Sequence, residues 1–340
     1  MTPVSERLDR ALHERVSEHL NRALHDLMET DPRVHLFGED ISDPYGGAFK
    51  VTRGLSTRFG RRVRSTPLSE GAITGIGAGL ALAGDRAIVE IMFADFAALA
   101  FDQLVNFAAK STSMYGRPVP IPLVVRCPSG GNRGYGPTHS QSPQKHFIGV
   151  PGLSLFEMTP FHDAGALFAE MFAQERPCLL FEDKVLYTRR MYAGGVVDDL
   201  FAYEVRDGVA RVFVDGVTEP DCVLVTHGGM THRALEAARA LLLEDDVACE
   251  LLIPSRLYPL PELAGLERAR HVLVVEDGSA GGTWGAEVSR VLYPRLWPVL
   301  RRPIGLLNAA DSVIPAAPHL EREVLVQAGD IRNAIVEALR

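Results

Sequence analysis

The 340-residue chain contains 46% hydrophobic and 23% charged residues, a composition typical of a globular protein with a sizeable core. Its length favours about two domains, because one core seldom grows that large. The formal net charge of -8 and the sequence pI near 5.8 argue against nucleic acid or an anionic membrane as a partner, since the protein's field repels phosphate.

The cysteines and the amino terminus indicate a reducing compartment. Cys127, Cys178, Cys222 and Cys249 are widely spaced, and three of them lie in apolar, strand-like runs, so we expect buried thiols and no disulfide frame or zinc site. Residues 1–20 alternate charged and apolar side chains without a signal-peptide core, and no apolar run reaches the roughly 18 residues of a membrane span. We expect a cytoplasmic protein.

Apolar strands and amphipathic helices alternate over the first part of the chain. The pattern predicts strands at 34–37, 62–66, 87–93, 120–126, 153–158 and 178–182, and helices at 16–27, 94–110 and 162–174, with one more that begins at Glu70. Such alternation predicts a parallel sheet covered on both faces. Residues 1–190 are therefore predicted to form one α/β domain.

A second alternation follows a weakly patterned, polar stretch at 191–220, which we interpret as a linker. Beyond it the sequence predicts strands at 222–226, 247–253, 271–275 and 303–307 and helices at 231–243 and 284–292. Residues 221–340 should form a smaller α/β domain. The predicted fold class is thus α/β, with two domains that are each a mainly parallel sheet flanked by helices.

Glu70 is the first candidate functional residue. Small and apolar residues follow it almost without interruption to Gly84, a composition suited to a helix packed closely on a sheet. A carboxylate at the mouth of such a helix is partly desolvated, which favours a functional role. The alternative is an acid that only complements the positive end of the helix dipole.

The glycines of 75–79 suggest a dinucleotide-binding turn, with Glu90 as the acid that would bind a ribose. The spacing does not fit, because Leu80 and Leu82 occupy the candidate third-glycine positions and the glycines lie inside the helix. No phosphate-binding Gly-x-x-x-x-Gly-Lys-[Ser/Thr] loop and no Gly-x-Ser-x-Gly elbow occurs in the sequence.

His139 is the second candidate. It follows the glycine-rich stretch 127–136, in which the backbone can come close to another group. Ligands bind beyond the carboxyl ends of strands in α/β sheets, and imidazole transfers protons near neutral pH. The alternative is a histidine of a surface loop without a task.

Several segments, in order and at matching spacing, resemble the beta subunits of thiamine diphosphate-dependent 2-oxo acid dehydrogenases of the pyruvate, acetoin and branched-chain type. They are Phe37–Ile41, Pro44–Lys50, Thr66–Glu70, Glu90–Phe96, Phe101–Gln103 with Ala108–Lys110, Gly136–Gln141, Pro151–Leu153 and Gly281–Glu287. The resemblance runs over essentially the whole chain. It implies a pyrimidine-binding domain and a transketolase-type C-terminal domain in a heterotetramer of two alpha and two beta chains.

The resemblance also implies roles for single residues. Glu70 matches the acid that hydrogen-bonds the pyrimidine nitrogen of the cofactor, and Phe96 matches the aromatic residue that stacks on that ring. Met92 and Gln103 lie on the corresponding wall of the cofactor site. His139 matches the histidine that handles protons during decarboxylation or acyl transfer.

The cofactor implied by the resemblance is thiamine diphosphate. Relatives bind its diphosphate through magnesium held by a Gly-Asp-Gly segment and a later Asn, and no Gly-Asp-Gly occurs here, so we expect the alpha subunit to hold the magnesium and this chain to offer no metal ligands. Backbone carbonyls near Leu123 and Met171–Gln174 correspond to a potassium site of some relatives.

The sequence thus predicts an enzyme, active only with an alpha subunit, that decarboxylates a 2-oxo acid and transfers the acyl group to a lipoyl acyltransferase or an acyl carrier protein. Lys145 and His146 lie in a segment, 142–147, that departs from close relatives. With Arg133 they suit an alternative, a transketolase-like transfer of a two-carbon unit from a sugar phosphate to a carrier protein. Ser255–Tyr258 also departs. A third possibility is a non-catalytic docking subunit. The presence of all three candidate residues, Glu70, Phe96 and His139, argues against it.

Overall fold

A computed structural model describes residues 14–340, which divide into two compact units. The first unit comprises 14–129 and 146–191, and the second contains 130–145 and 192–340. Residues 1–13 lie outside the described residues, and with them the start of the first predicted domain and most of the segment from which we inferred the absence of a signal peptide.

The first unit contains a parallel sheet with the strand order β5-β6-β4-β3-β1-β2. Its strands are β1 Val34–Glu39, β2 Val63–Thr66, β3 Arg86–Glu90, β4 Leu123–Ser129, β5 Ser154–Met158 and β6 Cys178–Asp183. The α-helices of this unit are Val16–Thr30, Leu55–Phe59, Glu70–Leu82, Ala109–Ser111 and Ala164–Ala173.

Helices cover both faces of this sheet, as predicted. Ile88 and Val124 belong to a buried cluster with residues of the helices Val16–Thr30 and Ala164–Ala173. Their neighbours Val89 and Leu123 point to the opposite face, where a Cβ placed on Gly77 would lie 2.7 Å from Val89 Cγ2. Glycine therefore lets the helix Glu70–Leu82 approach the sheet closely, as its composition predicted.

The second unit contains a six-stranded sheet with the strand order β13-β12-β9-β10-β8-β7. Its strands are β7 Phe201–Arg206, β8 Val209–Val214, β9 Cys222–Thr226, β10 Cys249–Pro254, β12 His271–Ser279 and β13 Gly305–Ala309, and the short β11 spans Arg256–Tyr258. The helices are Met230–Glu244, Trp284–Leu296, Pro318–Val324 and Ala328–Leu339. The pairs from β13 to β10 are parallel, whereas β8 pairs antiparallel with β10 and β7.

The stretch interpreted as a linker, 191–220, contains β7 and β8 and therefore contributes to the second sheet. We missed this hairpin because β7 is only partly buried, so its sequence lacks an apolar run, although Asp207-Gly208 is a good turn signal. The segment 130–145 also groups with the second unit, so that unit includes a loop that we had assigned to the first domain.

The predicted helix 94–110 is irregular. Ala94–Ala100 is a 3₁₀ helix, Gln103–Ala108 is a π-helix, and Ala109–Ser111 is α-helical. Short π-helical segments occur frequently at functional sites, because they turn side chains away from their regular helical directions. This segment carries Phe96 and Gln103, two of the candidate residues.

All four cysteines are buried and free, which confirms the prediction of buried thiols. Within residues 14–340, no helix has both the length and the apolar composition needed to cross a membrane.

Candidate active site

Glu70 is the first residue of the helix Glu70–Leu82 and is only 7% exposed. The side chain of the preceding Ser69 does not cap the helix; instead its backbone carbonyl accepts the Ile73 N–H at 2.9 Å. The amino-terminal end of the helix dipole favours a carboxylate there. The structure thus places a largely buried acid at the point where the sequence predicted it.

A second acid, which we assigned no role from the sequence, lies beside it. Glu39 ends β1 and is 3% exposed, and neither carboxyl oxygen has a hydrogen-bond partner of normal geometry within residues 14–340. Burial, together with the negative charges of Glu70 and Glu90, raises the pKa of Glu39 to about 7, although the nearby Met92 backbone N–H favours the charged form.

The signal for Glu39 was available in the sequence. It is the last residue of a strand that pairs in parallel with β2 and β3, and the carboxyl ends of parallel strands meet at one edge of a sheet. The segment Phe37–Ile41 also belongs to the motifs of the family resemblance, yet it gave Glu39 no role of its own.

Glu90, by contrast, belongs to a fully paired network. Arg126 donates from Nη1 to Glu90 at 2.6 Å and from Nε and Nη2 to the two oxygens of Glu182, each at 2.7 Å. Tyr187 donates its hydroxyl to Glu182 at 2.7 Å, and the Ala48 N–H donates to Glu90 at 3.1 Å. The carboxylate of Glu90 is therefore satisfied within the protein and needs no ribose as a partner.

Phe96, Met92 and Gln103 lie in the same unit as Glu70. A Cβ on Gly71 would lie 3.1 Å from the Leu99 carbonyl, so the 3₁₀ helix that carries Phe96 touches the start of the Glu70 helix. Met92 is partly exposed, and Gln103 Oε1 would lie 3.0 Å from a Cβ on Gly75. The structure therefore brings the four candidate cofactor residues to one region of the first unit.

Phe96 is half-buried, and its ring meets that of Phe93 edge-on, with 6.4 Å between centroids and 83° between planes. A partly exposed aromatic face can still accept a stacked ring.

His139 belongs to the second unit. It is partly exposed, its Nδ1 lies 2.9 Å from the hydroxyl oxygen of Thr138, and its backbone N–H donates to the Gly136 carbonyl at 3.3 Å. The glycines of its loop allow a close approach to protein: a Cβ on Gly131 would lie 2.5 Å from Leu325 Cδ1, and Gly136 lies against Ala316.

Lys145 does not have the role that we considered for it. Its ammonium donates to the carbonyls of Ser279, Ala280 and Gly281 and to the Ser279 hydroxyl, at 2.9 to 3.2 Å. Since an ammonium has three hydrogens, these four oxygens use its full donor capacity. Lys145 is therefore not available to bind the phosphate of a sugar substrate.

Comparison with known proteins identifies the family. The profile of the transketolase pyrimidine binding domain matches residues 15–190, and that of the transketolase C-terminal domain matches 214–331. The 2-oxoisovalerate dehydrogenase subunit beta of Bacillus subtilis (strain 168) is 35% identical over 315 residues, which are 91% of this chain and 94% of that protein. The chain belongs to the family of 2-oxo acid dehydrogenase E1 beta subunits.

Other E1 beta subunits agree with this assignment, and one solved structure shares the fold. Pyruvate dehydrogenase E1 component subunit beta-1 of Arabidopsis thaliana is 32% identical, covering 90% of this chain and 84% of its own. The acetoin:2,6-dichlorophenolindophenol oxidoreductase subunit beta of Cupriavidus necator is 31% identical, covering 92% and 94%. A split-gene transketolase in an inactive beta4 tetramer shares the fold, with a TM-score of 0.71 at 20% identity over 94% of this chain and 97% of its own.

E1 beta subunits of this family depend on thiamine diphosphate and work with an alpha subunit. The residues of the first unit fit the pyrimidine end of that cofactor. The acids Glu39 and Glu70 share one buried region with a half-buried aromatic ring, and the Glu39 oxygens have no partner of normal geometry among the described residues.

Proposed function

We propose that this E1 beta subunit contributes half of an active site that decarboxylates a 2-oxo acid and transfers the acyl group to a lipoyl acyltransferase, whose lipoyl disulfide takes up the two electrons and opens to one thiol and one acyl thioester. The other acceptor considered, the thiol of an acyl carrier protein, requires a separate two-electron acceptor. The observation that carries the proposal is the buried pair of acids, Glu70 at a helix start and Glu39 beside it, together with the lack of a hydrogen-bond partner of normal geometry for the Glu39 oxygens among residues 14–340. Such a pair can share a proton with a weakly basic ring nitrogen.

In this proposal the chain's residues orient the pyrimidine end of the cofactor. Glu70 accepts or holds the proton at the ring nitrogen, and Phe96 stacks on the ring. Met92 and Gln103 form the wall of the cofactor site. When bound, thiamine diphosphate supplies the carbanion chemistry, so the protein's task is to place and protonate the groups around it. His139 moves a proton during transfer of the acyl group.

We further propose that the alpha subunit holds the magnesium and the diphosphate. Within residues 14–340 no group of three or more His, Cys, Asp or Glu side chains could hold a metal ion. A potassium ion near Met171 is less well supported by the geometry. The Met171 carbonyl already accepts the Gln174 N–H at 3.3 Å and lies 3.7 Å from Cys178 Sγ.

The four buried free cysteines suit a reducing compartment, and we propose that the complex acts in the cytoplasm. Two readings weighed above receive less support. Transfer from a sugar phosphate is less well supported because Lys145 cannot bind the phosphate: its ammonium already donates to four oxygens of the protein. A purely docking subunit would not need a buried pair of acids beside a half-exposed aromatic ring.

The test is a substrate screen on the complex of this chain with its alpha subunit. Pyruvate, branched-chain 2-oxo acids, acetoin and a ketose phosphate are offered in turn, and products are identified by mass. We expect carbon dioxide and an acylated acceptor from one of the 2-oxo acids. Turnover of the ketose phosphate alone would contradict the proposal and favour the transketolase-like reaction.

The chain by itself should not bind the cofactor tightly. Stacking and one hydrogen bond contribute about 2–3 kcal/mol together, whereas micromolar binding requires about 8 kcal/mol. Calorimetry with magnesium and thiamine diphosphate should therefore show tight binding only after the alpha subunit is added. Micromolar binding by the isolated chain would reveal a diphosphate site within it and would contradict the two-subunit arrangement.

A further inference from the structure

The loop that carries His139 is held at both ends by the second unit. At its start, the Asn132 N–H donates to Glu321 Oε1 at 2.8 Å and the Gly134 N–H donates to Glu321 Oε2 at 3.0 Å. Glu321 is 2% exposed and lies in the helix Pro318–Val324. One buried carboxylate thus fixes two backbone amides, and hydrogen bonds to a charged acceptor are the stronger kind.

Lys145 fixes the end of the same loop. Its ammonium collects the carbonyls of Ser279, Ala280 and Gly281 and the Ser279 hydroxyl, all of which lie where β12 ends and the next loop begins. A neutral side chain here would leave several carbonyls without this cationic donor. In sequence, His139 lies between the two fixed parts of the loop, Asn132–Gly134, which Glu321 holds, and Lys145.

Close packing between these fixed parts leaves the loop little freedom. A Cβ on Gly131 would overlap Leu325 Cδ1 at 2.5 Å, and Gly134, with φ of +69°, lies so near that a Cβ would be 3.2 Å from the Ala316 carbonyl. The Gly130 N–H donates to the Gln141 carbonyl at 3.0 Å and closes the loop on itself. The glycines therefore allow the loop backbone to pack closely against other residues of the protein. The sequence predicted a close approach of this stretch to another group, without indicating which.

We propose that Glu321 and Lys145 are positioning residues, which act through the His139 loop to place the imidazole for the acyl-transfer step. The proposal rests on the proposed function, since it needs His139 to work in that step. It assigns to the second unit a task in the reaction, through two side chains that lie 182 and 6 residues from His139 in sequence. A misplacement of about 1 Å in a catalytic group can lower a rate up to about a hundredfold.

The test uses the complex with its alpha subunit and the variants Glu321→Gln and Lys145→Met. The Gln amide offers one acceptor oxygen where the carboxylate offers two, so one of the two loop amides loses its partner. Glu323→Gln, an exposed acid on the same helix, and Lys110→Met, an exposed lysine that donates to Asn106 Oδ1, are the matched controls. Each variant is measured for transfer rate and for hydrogen exchange at residues 131–136.

We expect Glu321→Gln and Lys145→Met to slow acyl transfer by about tenfold to a hundredfold and Glu321→Gln to speed amide exchange at Asn132 and Gly134. The circular dichroism of the bound cofactor should not change, because its pyrimidine partner Glu70 belongs to the first unit. In a His139→Ala background neither variant should slow transfer further, since a positioning residue has nothing left to position.

The outcomes separate this proposal from the proposed function. Suppose that His139→Ala is defective, but that Glu321→Gln and Lys145→Met lower the transfer rate by the same factor in the wild-type chain and in the His139→Ala chain. The positioning role is then wrong, and the role of His139 stands. Amide exchange equal to that of Glu323→Gln would overturn the anchoring by Glu321 in the same way. A wild-type transfer rate for His139→Ala would overturn the role of His139 and, with it, this proposal.

Discussion

Two buried acidic clusters of the first unit differ in how they are neutralised. The paired network contains Glu90 and Glu182, which share the guanidinium of Arg126 and receive the Tyr187 hydroxyl. The open cluster contains Glu39 and Glu70, and both oxygens of Glu39 lack a partner of normal geometry among residues 14–340.

From this difference we propose that the paired network serves the fold and that the open cluster serves a ligand. A buried charge is tolerated when hydrogen bonds and an opposite charge satisfy it, and a network complete within the protein has no capacity left for a substrate. A buried acid that stays unsatisfied lowers the stability of the protein, and this is the physical reason to propose a partner from outside the chain for the open cluster.

The largest effect should come from Glu70→Gln, which tests the functional side of this comparison. We expect turnover of the complex to fall by about 10²- to 10⁴-fold, the usual contribution of a positioned proton-transfer group, with the melting temperature unchanged. Steady-state rates and thermal melts of the purified complex measure both. A rate close to that of the wild type would show that Glu70 is not a catalytic residue. Its carboxylate would then only complement the positive end of the helix dipole.

Arg126→Leu tests the structural side. Removal of the guanidinium leaves Glu90 and Glu182 buried and facing each other, and breaking a buried ion pair costs about 3–5 kcal/mol of stability. We expect a large loss in the free energy of unfolding, measured with denaturant, for the variant chain. The triple change Arg126→Leu, Glu90→Leu and Glu182→Leu should recover much of that loss, because it removes the uncompensated charges as well.

If the single change were harmless and the triple change no better, the paired network would not be the structural element that its geometry indicates.

The sequence predicted the alternation of strands and helices well where strands are buried on both faces, since long apolar runs such as β9 Cys222–Thr226 leave no other assignment. It failed for the β7–β8 hairpin, because β7 mixes charged and apolar residues at a partly exposed edge of the sheet. It also gave a regular helix at 94–110, where the structure has 3₁₀ and π segments that depend on tertiary contacts.

Parts of the candidate site could be predicted because their signal, like that of the buried strands, is contained in a short stretch of sequence. Glu70 is an isolated acid before an apolar helix, and that contrast is local. The proposed roles of Glu321 and Lys145 depend on contacts with residues far along the chain, for instance the 189-residue separation of Asn132 and Glu321. No local pattern reports such a contact, so Lys145 was assigned to a phosphate and Glu321 received no role.

Glu39→Gln gives the smallest effect and tests whether the open cluster is as unsatisfied as its geometry indicates. Glu39 has a pKa of about 7 in the folded chain, above the ordinary value of 4.5. A carboxyl group whose pKa is raised by folding favours the folded state fully below the lower value, and this contribution is lost as the pH rises through the upper one. Wild-type stability should therefore fall between pH 4.5 and pH 7, and Gln, which cannot ionise, should not share that fall.

The rise in the pKa of Glu39 from 4.5 to about 7 sets an upper limit near 3 kcal/mol, and we expect roughly 2 kcal/mol because neighbouring negative charges contribute to that rise. Denaturant unfolding of the two chains should thus show Glu39→Gln as the more stable at pH 8.5, with the difference below about 1 kcal/mol at pH 5. A Glu39→Gln chain that is less stable than wild type at pH 8.5 would mean that the Glu39 carboxylate has a partner within the protein, and the distinction between the open cluster and the paired network would then be wrong.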